Sequence, residues 1–416
     1  MEISKLDLEI SAIMQDNHDM IKRDLQNRLT QLSGTMPVVT VTGPRQSGKT
    51  TLCRGCFPQY PYANLESPET RMLATEDPKK FLSQFPDGVI IDEVQNCPDL
   101  LSYIQVLVDE DSRPGRWILT GSQNLLLLES VSQSLAGRTG ILNLLPLSYN
   151  ELSRFENHPK TLNETLLTGS YPRILDQKIP PFDFLESYIS TYIERDVRKV
   201  SRVIDLTSFQ KFLSLCAGRT GQLLNLSSLG SDCGISQPTV KAWLSILETS
   251  YIVFLLPAWH GNIRKRLTKS AKLHFWDSGL VCRLLGIQTE NHLDLHPLRG
   301  AIFESWVVSE IAKYRIHRGQ SRGLFHFRDL HGNEMDLVKE TPEGLSLFEI
   351  KSGQTISRKM KFGFSRVAGP LKNVPLREQV VFYGGDQNAS MGEVQIRPWF
   401  EACFADAEPI SEDDDH

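Results

Sequence analysis

With 416 residues, the chain has room for about two to four domains, enough for more than one sizeable core. Its 40% hydrophobic and 23% charged residues are those of a soluble globular protein, and no apolar run approaches the ~20 residues of a membrane span. The net charge of −5 excludes wholesale coating of nucleic acid but leaves room for a local basic surface.

No lysine-led apolar leader opens the chain, so the expected location is the cytoplasm, with no membrane partner. Seven scattered cysteines make no disulfide framework. Cys53 and Cys56 form a C-x-x-C without a second pair, which reads as buried free thiols. Residues 1–35 read as one or two helices, with Ile21, Leu25, Leu29 and Leu32 at helical spacing and Gly34 as the stop. This segment is expected to pack or face a partner, with no chemistry of its own.

The β-branched run from Val38 then enters Gly43-Pro44-Arg45-Gln46-Ser47-Gly48-Lys49-Thr50, followed by Thr51. This is the eight-residue P-loop pattern, whose closely spaced backbone N–H groups cradle a triphosphate. Lys49 is expected to reach the β- and γ-phosphates of ATP, and the Thr50 hydroxyl to bind Mg2+. A short strand at Tyr62–Leu65 and helical pieces at Glu69–Thr75 and Pro78–Gln84 precede the strand Val89-Ile90-Ile91-Asp92-Glu93. Asp92 is expected to hold Mg2+ and Glu93 to polarise the attacking water. The strand Trp117–Thr120 should lie between the P-loop and carboxylate strands, making Ser122 the first sensor candidate, with Thr120 and Gln123 behind it. Arg138 is either a charge stabiliser delivered to a neighbouring subunit of a homo-oligomer or one half of a surface salt bridge. A last strand is expected at Ile141–Leu145.

GPRQSGKTT, IIDEVQ, LTGSQ, SLAGR and LLPLSYNE, in that order, resemble a family of prokaryotic AAA-type ATPases with a C-terminal region long left without an assigned function. The resemblance runs from about Arg23 to about Phe400. It implies an α/β fold: a P-loop AAA-type core with a five-stranded parallel sheet, then a helical lid. Gly169-Ser170-Tyr171-Pro172-Arg173 and Tyr192-Ile193-Glu194-Arg195-Asp196 resemble that family's lid and linker, with Arg173 and Arg195 as reserve nucleotide sensors.

Residues 207–290 read as a winged helix. Phe209–Ala217 and Leu226–Ser231 are helical, and Ile235–Leu244 has the composition of a turn and recognition helix, with Ser236 as cap and Pro238 in the first turn. Strands at Tyr251–Leu256 and Leu273–Trp276 flank a run carrying Arg264, Lys265, Arg266, Lys269 and Lys272. With Lys241, the first four are the candidate nucleic-acid contacts, to DNA before RNA; the alternative is a solvated run or a protein-docking face.

The C-terminal region reads as helix Leu298–Tyr314, strands Leu324–Arg328, Glu334–Lys339 and Leu345–Lys351, a helix near Met360–Val367, and a strand at Gln379–Tyr383. Glu349 and Lys351, two apart, share a strand face that Asp336 can join. Glu304, Asp336 and Glu349-Ile350-Lys351 resemble the catalytic pattern of restriction-endonuclease-like nucleases. Glu304, Asp336 and Glu349 would hold Mg2+, Lys351 would orient water, and Glu334 could add a carboxylate.

The expected domains are an N-terminal segment (1–35), the ATPase core (36–150), lid and linker (151–206), winged helix (207–290), a restriction-endonuclease-like α/β domain (291–402) and an acidic tail (403–416). The expected function is ATP binding and hydrolysis that controls work on DNA, with Mg2+-dependent cleavage by the C-terminal domain. The alternatives are a nucleotide-dependent switch or scaffold that docks protein partners, and a DNA-binding ATPase with a silent C-terminal domain.

Overall fold

The computed structural model describes residues 21–122, 134–193, 206–262, 264, 266, 269–369, 371 and 374–405. Gln123, Arg195, Lys265, most of the N-terminal segment and most of the acidic tail lie outside the described residues.

Val38–Gly43 (β1) is buried at every position, as a β-branched strand is when helices cover both faces of its sheet. It joins Tyr62–Asn64 (β2), Val89–Asp92 (β3), Trp117–Ser122 (β4) and Thr139–Asn143 (β5) in a parallel sheet of order β2-β3-β4-β1-β5. β4 therefore does lie between the P-loop strand and the carboxylate strand. Gly43 pairs with Ser122, so the tips of β1, β3 and β4 open at one edge. Parallel sheets present their sites at that edge.

Helix Gln26–Ser33 ends at Gly34, and its Leu29 is buried with the preceding Leu25 beneath β1. Downstream, short helices at Leu162–Thr168, Pro172–Asp176 and Pro181–Tyr188 build the region after the core. Helices Leu206–Ala217, Leu226–Cys233 and Gln237–Thr249 follow, with Gln222–Leu223 (β6) between the first two. Ser236 caps the third helix by accepting the Thr239 N–H at 3.3 Å, and Val240, Leu244 and Leu247 are buried. Val253–Leu256 (β7) and Lys272–Phe275 (β8) complete an antiparallel sheet of order β6-β8-β7. The second strand begins at Lys272, one residue earlier than expected, and that residue is buried.

Helix Arg299–His317 leads into Leu324–Arg328 (β9), Glu334–Thr341 (β10), Gly344–Lys351 (β11) and Leu376–Tyr383 (β12). Helix Phe362–Ala368, after a 3-10 turn at Arg358–Lys361, links the last two. The helix-βββαβ order is present. Two strands the sequence reading lacked, Ala389–Met391 (β13) and Val394–Pro398 (β14), extend the sheet to β13-β14-β12-β11-β10-β9. One buried apolar cluster runs from Leu147 and Leu166 through Phe212 and Leu247 to Phe303, Phe348 and Phe382. The long helix is thus a shared wall between the later regions and the C-terminal sheet. None of the described helices is long and apolar enough to cross a membrane.

Candidate functional site

The P-loop closes between β1 and helix Lys49–Cys56. Gly43 is required there, since a Cβ would stand 2.1 Å from the Leu144 carbonyl oxygen. Gly48 takes a φ of 91° at the helix N-cap, leaving the first turn's N–H groups facing the loop. Lys49 is buried, and its Nζ donates to the carbonyls of Gly43 at 3.1 Å and Pro44 at 2.8 Å. Burial lowers its pKa, against the opposing pull of Glu93 and Asp92.

Asp92 ends β3 with three hydroxyls around its carboxylate. Thr50 donates to Oδ2 at 2.8 Å, Tyr62 to the same oxygen at 2.6 Å, and Thr120 to Oδ1. A magnesium ion accompanying a triphosphate needs hard oxygen donors beside the loop, and the touching Thr50 hydroxyl and Asp92 carboxylate fit that need. Glu93 sits at φ 55°, and Gln46 in the loop at φ 60°. Left-handed backbone at two non-glycine residues of one site costs about 1–3 kcal/mol each and is typical of functional positions. Glu93 Oε2 accepts from Ser122 Oγ at 3.1 Å and from Gln95 Nε2, which also reaches Ser122 Oγ at 3.1 Å. The expected sensor and the expected base are therefore in direct contact. Thr120, placed behind Ser122 as a sensor, instead supports Asp92.

The N-terminal segment is not free of a role at this site. Arg23 is buried, with Nη1 donating to the Ser47 carbonyl at 2.6 Å, Nη2 to the Leu145 carbonyl at 2.8 Å, and Nε to Glu151 at 2.9 Å. Burial alone would raise Glu151, but Arg23 and, at acid pH where it is protonated, His317 outweigh it and hold the carboxyl down at about 2. A cleft of about 370 Å³ opens beside Gly48, Thr51 and Leu52, walled by Ile21, Phe155 and Pro172. Sequence reasoning missed Arg23, Tyr62 and Gln95. Arg23 opens the resemblance and Gln95 ends its IIDEVQ stretch, yet no local pattern names their partners, and Tyr62 meets Asp92 only because β2 pairs with β3.

Arg138 forms a two-pronged pair with Asp109 of its own chain, at 2.6 and 3.0 Å. Arg173 donates to Gln177 at 2.7 Å on the surface.

The basic run does not form one open face. Lys241 and Arg264 are exposed. Arg266, however, grips Glu340 of β10 with both terminal nitrogens, at 2.6 and 2.7 Å, and lies over the rings of Trp259 and Phe325. Lys269 Nζ reaches the Arg328 carbonyl at 3.3 Å. Lys272 is sunk between the two regions, its Nζ 2.6 Å from Glu334 and 2.7 Å from Glu304. It belongs to the basic run in sequence, but its position in the central strand of a three-stranded sheet turns it inward.

That changes the acidic cluster. Glu304, Asp336 and Glu349 were expected to share one cation, but the carboxylates are divided between two lysines. Glu304 and Glu334 pair with Lys272. Glu349 pairs with Lys351, and Asp336 lies about equally far from both ammonium groups, at 4.0 and 3.9 Å. Asp336 also accepts the Ile350 N–H at 2.8 Å. Glu349 Oε2 is pressed against Gly363, where a Cβ would stand 2.6 Å away. Burial, then Asp336, push Glu304 up to about 8 and Glu349 to about 7. Among the described residues, no group of three or more His, Cys, Asp or Glu is arranged to hold a metal ion, so the cluster as it stands does not fit the divalent cation expected for a nuclease centre.

The long helix ties this cluster to the nucleotide edge. Glu304 is in its second turn; farther along, Glu310 accepts the Tyr149 N–H at 2.6 Å and Lys313 donates to the Leu147 carbonyl at 3.0 Å. At its end, His317 Nε2 accepts the Leu145 N–H at 3.3 Å, on the same residue whose carbonyl Arg23 holds.

Three family descriptions match successive stretches of the chain: an AAA domain at residues 35–153, a domain of unknown function (DUF8612) at 159–291, and another (DUF4143) at 299–400. Uncharacterized protein Rv2008c of Mycobacterium tuberculosis is 29% identical over 401 residues, covering 95% of this chain and 86% of its own. Uncharacterized protein MJ1544 of Methanocaldococcus jannaschii is 20% identical over 57% of this chain and 59% of its own. Among solved structures, the Walker-type ATPase paby2304 of Pyrococcus abyssi aligns at 17% identity with a TM-score of 0.44, covering 64% of this chain and 97% of that one. A RuvB variant of Thermotoga maritima aligns at 16% identity with a TM-score of 0.31, over 57% of this chain and 90% of that one.

Proposed function

We propose that this chain is an ATP-hydrolysing switch that works on nucleic acid. The observation that carries the ATPase reading is the contact of Thr50 with Asp92 at the P-loop's mouth, with Glu93 beside Ser122 on the neighbouring strand tips. Thr50 and Asp92 would hold magnesium, which neutralises charge on the phosphates when bound. Glu93 accepts a proton from the attacking water, and Ser122 positions its carboxylate. Lys49 exchanges the Gly43 and Pro44 carbonyls for phosphate oxygens. The base and ribose have room in the cleft beside Leu52 and Phe155. Phosphate release from ATP and Mg2+ by wild type and Lys49→Ala tests this: equal, slow release by both sinks the ATPase reading.

We assign the nucleic-acid contact to a winged helix formed by residues 207–290, with exposed Lys241 on its third helix and Arg264 in the wing. Neutralising these two should weaken DNA binding and flatten its salt dependence. Unchanged binding would favour the second reading, a nucleotide-dependent scaffold that docks protein partners. That reading has its own support, because Arg266 already spends both terminal nitrogens on Glu340. The C-terminal sheet, read as restriction-endonuclease-like, is the moving part in either case.

A further inference from the structure

Lys272 is the least expected cation in the chain. Its side chain is 3% exposed, and its ammonium group stands 2.7 Å from Glu304, 2.6 Å from Glu334 and 4.0 Å from Asp336. The three acids come from the long helix and from β10, while the lysine comes from β8 of the preceding region. An ammonium group surrounded by carboxylate oxygens fills the place a hard divalent cation would take, and two cations cannot share it.

The lysine is also held in place. β8 is the central strand of its sheet, paired to β7 and β6 on its two sides. Its edge is fastened to the long helix as well: Ser305 Oγ accepts the Phe275 N–H at 3.2 Å, and Ser309 Oγ donates to the Trp276 carbonyl at 3.0 Å. Thr220 donates to the same Ser305 at 2.9 Å. These contacts fix the Lys272 backbone against the long helix that carries Glu304.

We propose that Lys272 is the resident cation of this acidic cluster: it takes the place of a divalent ion, locks the C-terminal sheet to the preceding region, and keeps the cluster from binding Mg2+ or Mn2+. The consequence for cleavage rests on the nuclease-like reading above; the exclusion of metal does not. A resident lysine makes the cluster silent toward phosphodiesters in the docked arrangement, and leaves three acids without it whenever the two regions part.

The test is a Mn2+ titration followed by electron paramagnetic resonance on the nucleotide-free full chain, comparing wild type, Asp336→Asn, Lys272→Met, Lys272→Arg and Lys272→Met combined with Asp336→Asn. The expected result is one additional Mn2+ bound per chain in Lys272→Met, lost again in the double variant, and none in wild type or Lys272→Arg. A Mn2+ site in wild type that Asp336→Asn removes overturns the proposal, and this arm needs no lysine variant to fold. Failure of a folded Lys272→Met chain, judged by circular dichroism, to gain the site overturns it equally. If Lys272→Met gains the ion yet nicks no DNA with Mn2+, the resident-cation inference stands and the nuclease reading fails.

Discussion

Arg23 and Glu151, 128 positions apart, meet at 2.9 Å with side chains 6% and 0% exposed, joining the segment before the first helix to the short helix Tyr149–Leu152 that follows β5. The same guanidinium holds the Ser47 carbonyl, so the P-loop, the N-terminal segment and the exit of β5 share one side chain. The two other donors to Glu151, the N–H groups of Asp24 and Ser148, cannot balance a full buried charge.

Removing Arg23 alone should therefore be severe. Arg23→Met is expected to cost about 3–5 kcal/mol in urea unfolding, because Glu151 is left charged and dry. Arg23→Lys should recover only part of this, since an ammonium cannot make the three divergent bonds of the guanidinium. ATP affinity, measured on chain that remains folded, should fall with the loss of the Ser47 anchor. Full stability in Arg23→Met would show that the contact is not structural.

The same junction sets an acid limit. Burial pushes His317 down to about 4 from its ordinary 6.5, so the imidazole is neutral in the fold and accepts the Leu145 N–H. Between pH 6.5 and 4 the unfolded chain binds the extra proton, so stability is complete above 6.5 and is lost as pH falls toward 4, by roughly 2–4 kcal/mol. Glu151, held at about 2 against an ordinary 4.5, adds a further loss below pH 4.5. Thermal melts should fall steeply from pH 7 to pH 4 in wild type. His317→Asn, which keeps an acceptor but cannot titrate, should melt lower at pH 7 and flatten the upper half of that fall.

At the nucleotide edge, Glu93 and Asp92 should separate chemistry from binding. Glu93→Gln keeps the contact with Ser122 and should bind ATP with near-normal affinity, while turnover falls by about 10²–10⁴. Asp92→Asn should instead weaken the dependence on Mg2+, since the Thr50–Asp92 oxygen pair loses its charge. Nucleotide binding by fluorescence and phosphate release on the same preparations distinguish the two. Turnover in Glu93→Gln within threefold of wild type would move the base elsewhere.

Local pattern carried the reading of this site a long way. An eight-residue loop, an apolar strand ending in Asp92-Glu93, and a strand ending near Ser122 each announce themselves within a dozen residues. Parallel pairing then leaves few ways to arrange their tips. The partners of the basic run were not legible for the opposite reason. Arg266 and Lys272 look identical in composition to surface cations, and only contacts 74 and 32 positions away, with Glu340 and Glu304, turn them inward. Arg23 escaped in the same way, because its partners are the Ser47 and Leu145 carbonyls and Glu151. Backbone carbonyls have no sequence signature.

Lys313 gives the sharpest test of whether the long helix connects the nucleotide edge to the C-terminal sheet. It is 1% exposed, donates to Glu310, to the Leu147 carbonyl and to Ser170 Oγ, and sits one turn before His317. Lys313→Met should cost about 3–5 kcal/mol through the stranded Glu310 carboxylate. Pairing it with Glu310→Gln should return much of that loss, because the neutral amide can still accept the Tyr149 N–H. What a merely local role would leave untouched is hydrogen exchange at a distance. With the helix's bond to the Leu147 carbonyl lost in the folded double variant, adding ATP should change amide protection in β10 and β11 less than it does in wild type. Identical ATP-dependent protection in both would mean that nucleotide state reaches the C-terminal sheet by another route, or does not reach it.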